Sequence, residues 1–144
     1  MTKIHRSAIV PRSVETLYRL INDVEAYPEF LDGVIAGRIL ERSDTEMVGQ
    51  MVIRKAGLER TLTTRNRLTP PNRIELTLVD GPLKSLKGVW QLAPLGDSGC
   101  KVTLDLQFQT SGKLTAMAFG PVFRQIADQM VSAFVKRANE VKPG

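Results

Sequence analysis

From Val34 to Thr110 the apolar and polar positions alternate with a period of two, and no apolar stripe at helical spacing interrupts them. The alternation is cleanest near its end. There Val102, Leu104, Leu106 and Phe108 fall on one face and Thr103, Asp105, Gln107 and Gln109 on the other. Ile74, Leu76 and Leu78 repeat the pattern, as do Leu86, Trp90 and Leu92 around Gly88. The alternation predicts six strands, over 34–42, 46–55, 58–68, 73–80, 83–93 and 99–110. Turn chemistry separates them: Ser43-Asp44, Ala56-Gly57, Pro70-Pro71-Asn72, Asp80-Gly81-Pro82 and Gly96-Asp97-Ser98-Gly99. Links this short join antiparallel neighbours, because a parallel crossover takes about a dozen residues or more. One antiparallel sheet with a single apolar face follows.

The flanking segments follow other periods. Lys3–Val10 is a strand ended by Pro11, and Ser13 caps a helix through Ile21 with Val14, Leu17, Tyr18 and Ile21 on one side. In Asp23–Leu31, Pro28 removes an amide donor and disfavours helical geometry at Tyr27, so the chain bends there. Tyr27, Phe30 and Leu31 in so short a space form either a core plug or the rim of an apolar pocket. Beyond the strands, Phe119, Val122, Phe123, Ile126, Met130, Phe134 and Val141 recur at three- and four-residue spacing, with Arg124, Gln125, Asp128, Gln129, Lys136 and Glu140 opposite. A helix over 121–141 would be about 30 Å long, and Pro121 either starts it or kinks it. The expected fold is α+β, a helix-grip architecture in which a curved antiparallel sheet of about seven strands wraps a long C-terminal helix. A curved sheet cannot press flat along a straight rod, so a cavity can open between them, and Gly88 on the inner face would enlarge it.

Composition adds boundaries. The chain has 144 residues, 42% of them apolar, and reads as a single domain over 1–144 with a core of ordinary size. No leader-like or membrane-spanning apolar run appears, and the single Cys100 cannot form an internal disulfide, so a cytoplasmic location is expected. The net charge of +5 suits either an anionic partner or a solvated surface.

Catalytic chemistry is hard to find. His5 is the lone histidine and has no partner at ligand spacing, so no metal site is expected. Asp23, Glu25 and Glu29 surround a helix break, where acids cap helices or face water. Nucleophile elbows, phosphate loops and dinucleotide fingerprints are missing, and no catalytic residue is assigned. Arg65 and Arg67 share one strand face, opposite Thr64 and Asn66, and could meet an anionic partner. No aromatic residues interleave with the basic ones, which argues against base stacking; a DNA partner is not expected.

Six short motifs occur in one order: Asn22-Asp23-Val24-Glu25-Ala26-Tyr27-Pro28-Glu29-Phe30-Leu31, Lys55-Ala56-Gly57, Thr63-Thr64-Arg65-Asn66, Asp80-Gly81-Pro82, Gly88-Val89-Trp90 and Ala118-Phe119-Gly120. As an ordered set they resemble the START-like family that holds the coenzyme Q-binding proteins and the bacterial ribosome association toxins, and are closest to the toxin branch. Pro121 after Ala118-Phe119-Gly120 is a local departure. The resemblance implies a helix-grip fold with an apolar cavity and no cofactor. It implies, as the leading expectation, a non-enzymatic carrier or chaperone that binds ubiquinone or a related polyprenyl lipid in support of respiration, which would bring transient contact with the inner face of the membrane. The toxin branch instead implies blocked association of the ribosomal subunits, with a ribosomal subunit as partner. The wider superfamily includes polyketide cyclases, a third reading that nothing in the residues supports independently. On the lipid reading the cavity lining is Tyr27, Phe30, Leu76, Leu78, Leu86, Trp90, Phe119, Phe123 and Ile126. Thr64, Asn66 and Tyr27 would offer polar groups to a quinone head, and Gly120-Pro121 would form a gate. The same apolar residues would serve equally as plain core.

Overall fold

Turn chemistry places the reversals. Ala56 and Gly57 both take positive φ, 54° and 77°, as a two-residue type I′ hairpin requires, and they join two strands whose ends pair Lys55 with Leu58. The computed structural model describes residues 1–110 and 112–140. The elements run β1 (Thr2–Val10), α1 (Val14–Asn22), a 3-10 helix (Val24–Glu29), β2 (Val34–Arg42), β3 (Glu46–Lys55), β4 (Leu58–Thr69), β5 (Arg73–Asp80), β6 (Leu83–Leu95), β7 (Gly99–Thr110) and α2 (Lys113–Glu140). All seven strands form one antiparallel sheet in the order β1-β7-β6-β5-β4-β3-β2. The order and type of the elements match the alternation, and β6 runs on to Leu95 past the expected end at 93. Ser13 caps α1, its Oγ accepting from the Thr16 amide at 3.2 Å.

One expectation about proline is corrected, and one of the two alternatives at Pro121 is removed. Tyr27 is not driven from helical geometry: the tighter 3-10 turn takes Pro28 inside Val24–Glu29, with the Ala26 amide donating to the Asp23 carbonyl at 3.1 Å. Nor does the long helix begin at Pro121. It starts at Lys113 and passes through the proline. The missing amide would have met the carbonyl of Met117, and both residues lie on the exposed side of the helix, where water satisfies the freed carbonyl. The 28 residues of α2 span about 42 Å. Val141, the last position of the expected stripe, lies outside the described residues.

The apolar stripe of α2 faces the sheet: Phe119, Val122, Phe123, Ile126 and Phe134 are buried and Met130 half-buried. Polar contacts hold its position. Arg6 of β1 meets Asp128 at 2.7 Å, and Arg137 meets Glu29 at 2.7 Å. The Arg12 Nε donates to the Ala138 carbonyl at 3.1 Å, satisfying an acceptor that the helix end leaves free.

Candidate functional site

The interior between sheet and helix divides into a closed end and an open middle. At the closed end Phe134 is the hub. The rings of Tyr27, Phe30 and Trp90 meet it edge-on, with centroids 5.4, 5.2 and 5.4 Å away. Arg137 lies over the outer side of Phe30, its guanidinium carbon 5.2 Å from the ring centroid. The Tyr27 hydroxyl donates to the Ile21 carbonyl. Burial, with a smaller push from Asp23, raises its pKa well above the usual phenol range.

The open middle is a cavity of about 70 Å³. Its sheet wall includes Met51, Thr64, Asn66, Leu76, Leu86 and Trp90, and Phe123, Ile126 and Met130 of α2 close it. Tyr27 stands at the boundary with the aromatic end. Thr64 and Asn66 are successive inward positions of β4, and the Thr64 hydroxyl donates to Asn66 Oδ1 at 2.9 Å. That bond occupies the amide oxygen, so the Asn66 N–H groups are the donors this wall offers to a ligand. A cavity of about 150 Å³ takes a benzene ring, and pockets for drug-sized ligands hold about 300–1,000 Å³. This one is too small for a quinone ring unless its walls move.

Of the residues expected to line a cavity, Tyr27, Thr64, Asn66, Leu76, Leu86, Trp90, Phe123 and Ile126 come together around it. Three do not. Phe30 belongs to the aromatic plug, between Phe134 and Arg137. Leu78 is half-buried near the end of β5, beyond the cavity. Phe119 is fully buried and stacks on Phe123 at 5.7 Å, which fills the end beneath the expected gate. Gly120 and Pro121, the expected gate, lie inside α2, which runs on through both. Gly88 does not enlarge the cavity either: a Cβ there would stand 2.6 Å from Leu106 Cδ1 and 3.2 Å from Leu76 Cδ1, so these leucines already occupy its space.

Sequence reasoning passed over other lining residues, among them Ile74, Leu104, Leu106, Met51 and Gln50. The first three sit in alternations already visible in β5 and β7. Met51 and Gln50 carry no such signal, because β3 reads as apolar on both faces from Met47 to Ile53. On the other side of the sheet Arg65 and Arg67 are exposed. Arg65 is shared between Glu46 at 3.4 Å and Glu41 at 4.0 Å. His5 is also a surface residue there, its Nδ1 2.5 Å from Asp105 Oδ1.

The family model described as polyketide cyclase / dehydrase and lipid transport matches residues 10–135. The chain is 45% identical over 141 residues to the ribosome association toxin RatA of Vibrio cholerae, covering 98% of each. It is 24% identical to a mitochondrial coenzyme Q-binding protein of Drosophila melanogaster, over 91% of this chain and 56% of that one. The solved structure of a START superfamily protein from Mycobacterium smegmatis superposes with a TM-score of 0.80 at 17% identity, covering 97% of this chain and 99% of that one. That likeness establishes the helix-grip fold. Among the described residues no helix is long and apolar enough to cross a membrane.

Proposed function

The chain belongs to the polyketide cyclase / dehydrase and lipid transport family, in the branch of the ribosome association toxins, and from that premise we propose a non-enzymatic cytoplasmic protein that binds a ribosomal subunit and blocks subunit association. The observation that carries this reading is the 45% identity, sustained over 98% of both chains, to a protein named for ribosome association. The cavity adds support from the other direction. At about 70 Å³ it is poorly suited to lipid cargo. The ionisable side chain on its wall, among the described residues, is Tyr27, whose proton is held by burial and already engaged with Ile21, a poor acid or base for a cyclase-type step. The test is sedimentation of separated ribosomal subunits brought to joining conditions with and without excess purified protein. Subunits that stay separate are the expected result, and unchanged joining at saturating protein overturns the reading.

A second reading, reversible binding of a polyprenyl quinone or related lipid, is favoured by the Thr64–Asn66 pair set in an apolar wall. One quinone oxygen could accept from Asn66 while each buried CH₂ of the tail contributes about 0.8 kcal/mol. The unbranched Met51 and Met130 are the wall residues best able to make room. The quinone would be cargo, with no cofactor required. Native mass spectrometry of protein purified from its host, with organic extraction, decides it. A stoichiometric quinone supports the reading, and a folded protein that stays empty and gains no mass from a short-chain quinone removes it.

A further inference from the structure

We infer that the outer face of the sheet carries a groove for the phosphate backbone of ribosomal RNA, with Lys3 and Lys87 as its phosphate contacts, an inference that rests on the ribosomal reading above. Cross-strand partners share a face of a sheet. The pairs Lys3–Gln107, Gln107–Lys87, Lys87–Thr77 and Thr77–Arg65 therefore lie on one line across β1, β7, β6, β5 and β4. At about 4.8 Å per strand, Lys3 and Lys87 stand about 10 Å apart, with Arg65 about 10 Å further on. No acid interrupts this line. Along its stretch from β1 to β5 runs a groove of about 520 Å³, lined by Lys3, Thr77, Lys87 and Gln107 and by the neighbouring line of His5, Asp105, Val89 and Glu75, with Arg65 beyond it.

The groove holds two acids as well as two lysines, and both acids are engaged by neighbours. Asp105 is bonded to His5 at 2.5 Å and Glu75 to Arg73 at 3.5 Å. Among the described residues Lys3 and Lys87 have no acidic partner within 4 Å, and both are exposed. Arg65, by contrast, is held by Glu46 and Glu41, and Arg67 lies outside the groove's lining, which leaves the two lysines as its contacts. The groove has no Phe, Tyr or Trp, and the imidazole of His5 is tied to Asp105, so it suits the sugar-phosphate ridge of structured RNA rather than splayed bases. RNA fits better than a lipid surface. The site is concave, and the exposed large apolar residues Ile9, Ile35, Leu40, Val79 and Leu95 all lie outside its lining.

The experiment compares wild type, the double variant Lys3→Glu/Lys87→Glu and the control Lys136→Glu on the exposed side of α2. Each is assayed by ribosome sedimentation and by binding to a structured fragment of ribosomal RNA across a salt series. The double variant is expected to melt like wild type, to lose its effect on subunits, and to bind RNA with a log–log salt slope shallower by about 1.4–1.8, from ~0.7–0.9 per lost contact. The control should match wild type in both assays. A double variant as active as wild type, with an unchanged salt slope, overturns the groove. Wild type inert toward ribosomes overturns the reading beneath it as well. Intact RNA binding with lost binding to phosphatidylglycerol vesicles would assign the groove to a membrane surface and refute the RNA contact.

Discussion

The plug and the cavity are built from the same two elements, the inner face of one sheet and the apolar stripe of α2, yet one is filled and the other is not. The difference lies in side-chain type. Around Phe134 three aromatic rings meet edge-on, so large rigid bodies fill the space between sheet and helix. A few ångströms along, the walls are Thr64, Asn66, Leu76, Met51 and Met130, smaller or more flexible groups that leave a gap of about 70 Å³. The contrast teaches where change can be absorbed. The plug locks the 3-10 helix to α2 through Tyr27, Phe30 and the Arg137–Glu29 pair, and has no slack. Any enlargement for a ligand has to come from the cavity walls.

The largest expected effect breaks the plug. Phe134 is fully buried and contacts all three rings, so Phe134→Ala removes the hub and should cost about 3–5 kcal/mol. A shift of the urea midpoint measures it. A loss below about 1 kcal/mol would mean that the site collapses easily, and the distinction between the two regions would fall.

Tyr27 stands where the regions meet, and Tyr27→Phe should cost less, about 1–2 kcal/mol, by leaving the Ile21 carbonyl unpaired. The same variant has a pH signature. The folded protein raises the Tyr27 pKa above its ordinary 10.0, so it retains a proton that the unfolded chain releases. Stability from this source is whole below pH 10.0 and falls as the pH rises beyond it. Urea midpoints at neutral and at alkaline pH should therefore converge in Tyr27→Phe. Tyr18, whose pKa burial also raises, accounts for a remainder. An unchanged alkaline loss would show that the Tyr27 proton is not the one being held.

Legibility in the sequence follows the same division. The strands were readable because one face of each is buried, which imposes the period of two, and the short links allow antiparallel pairing alone. The stripe of α2 was readable for the same reason at its own period. Alternation identifies a face but not what fills it, so Phe30, Leu78 and Phe119 look like lining as much as Leu76 or Phe123 does. Whether an inward residue meets a ring or a void depends on the residue opposite it across the interior. The approach of Phe134 to Tyr27, Phe30 and Trp90, over large sequence separations, is of that kind. Pro121 left two alternatives open for a related reason: the cost of a proline in a helix depends on whether the freed carbonyl faces water, and the local sequence does not say which side is exposed.

The smallest expected effect tests the slack directly. Gly88 faces inward on β6, and an added Cβ would approach the terminal methyl groups of Leu106 and Leu76 at 2.6 and 3.2 Å. Inserting a methyl into a filled core costs about 1–3 kcal/mol. Both leucines, however, line the cavity, so their methyl groups can turn into open volume. Gly88→Ala should therefore cost about 1 kcal/mol or less by urea midpoint. It should also weaken xenon uptake followed by chemical shift, because the displaced methyl groups occupy the space that xenon would take. A loss near 3 kcal/mol with xenon uptake retained would mean the leucines cannot turn inward. The cavity walls would then be as rigid as the plug, and widening to admit a quinone ring would be ruled out on the same evidence.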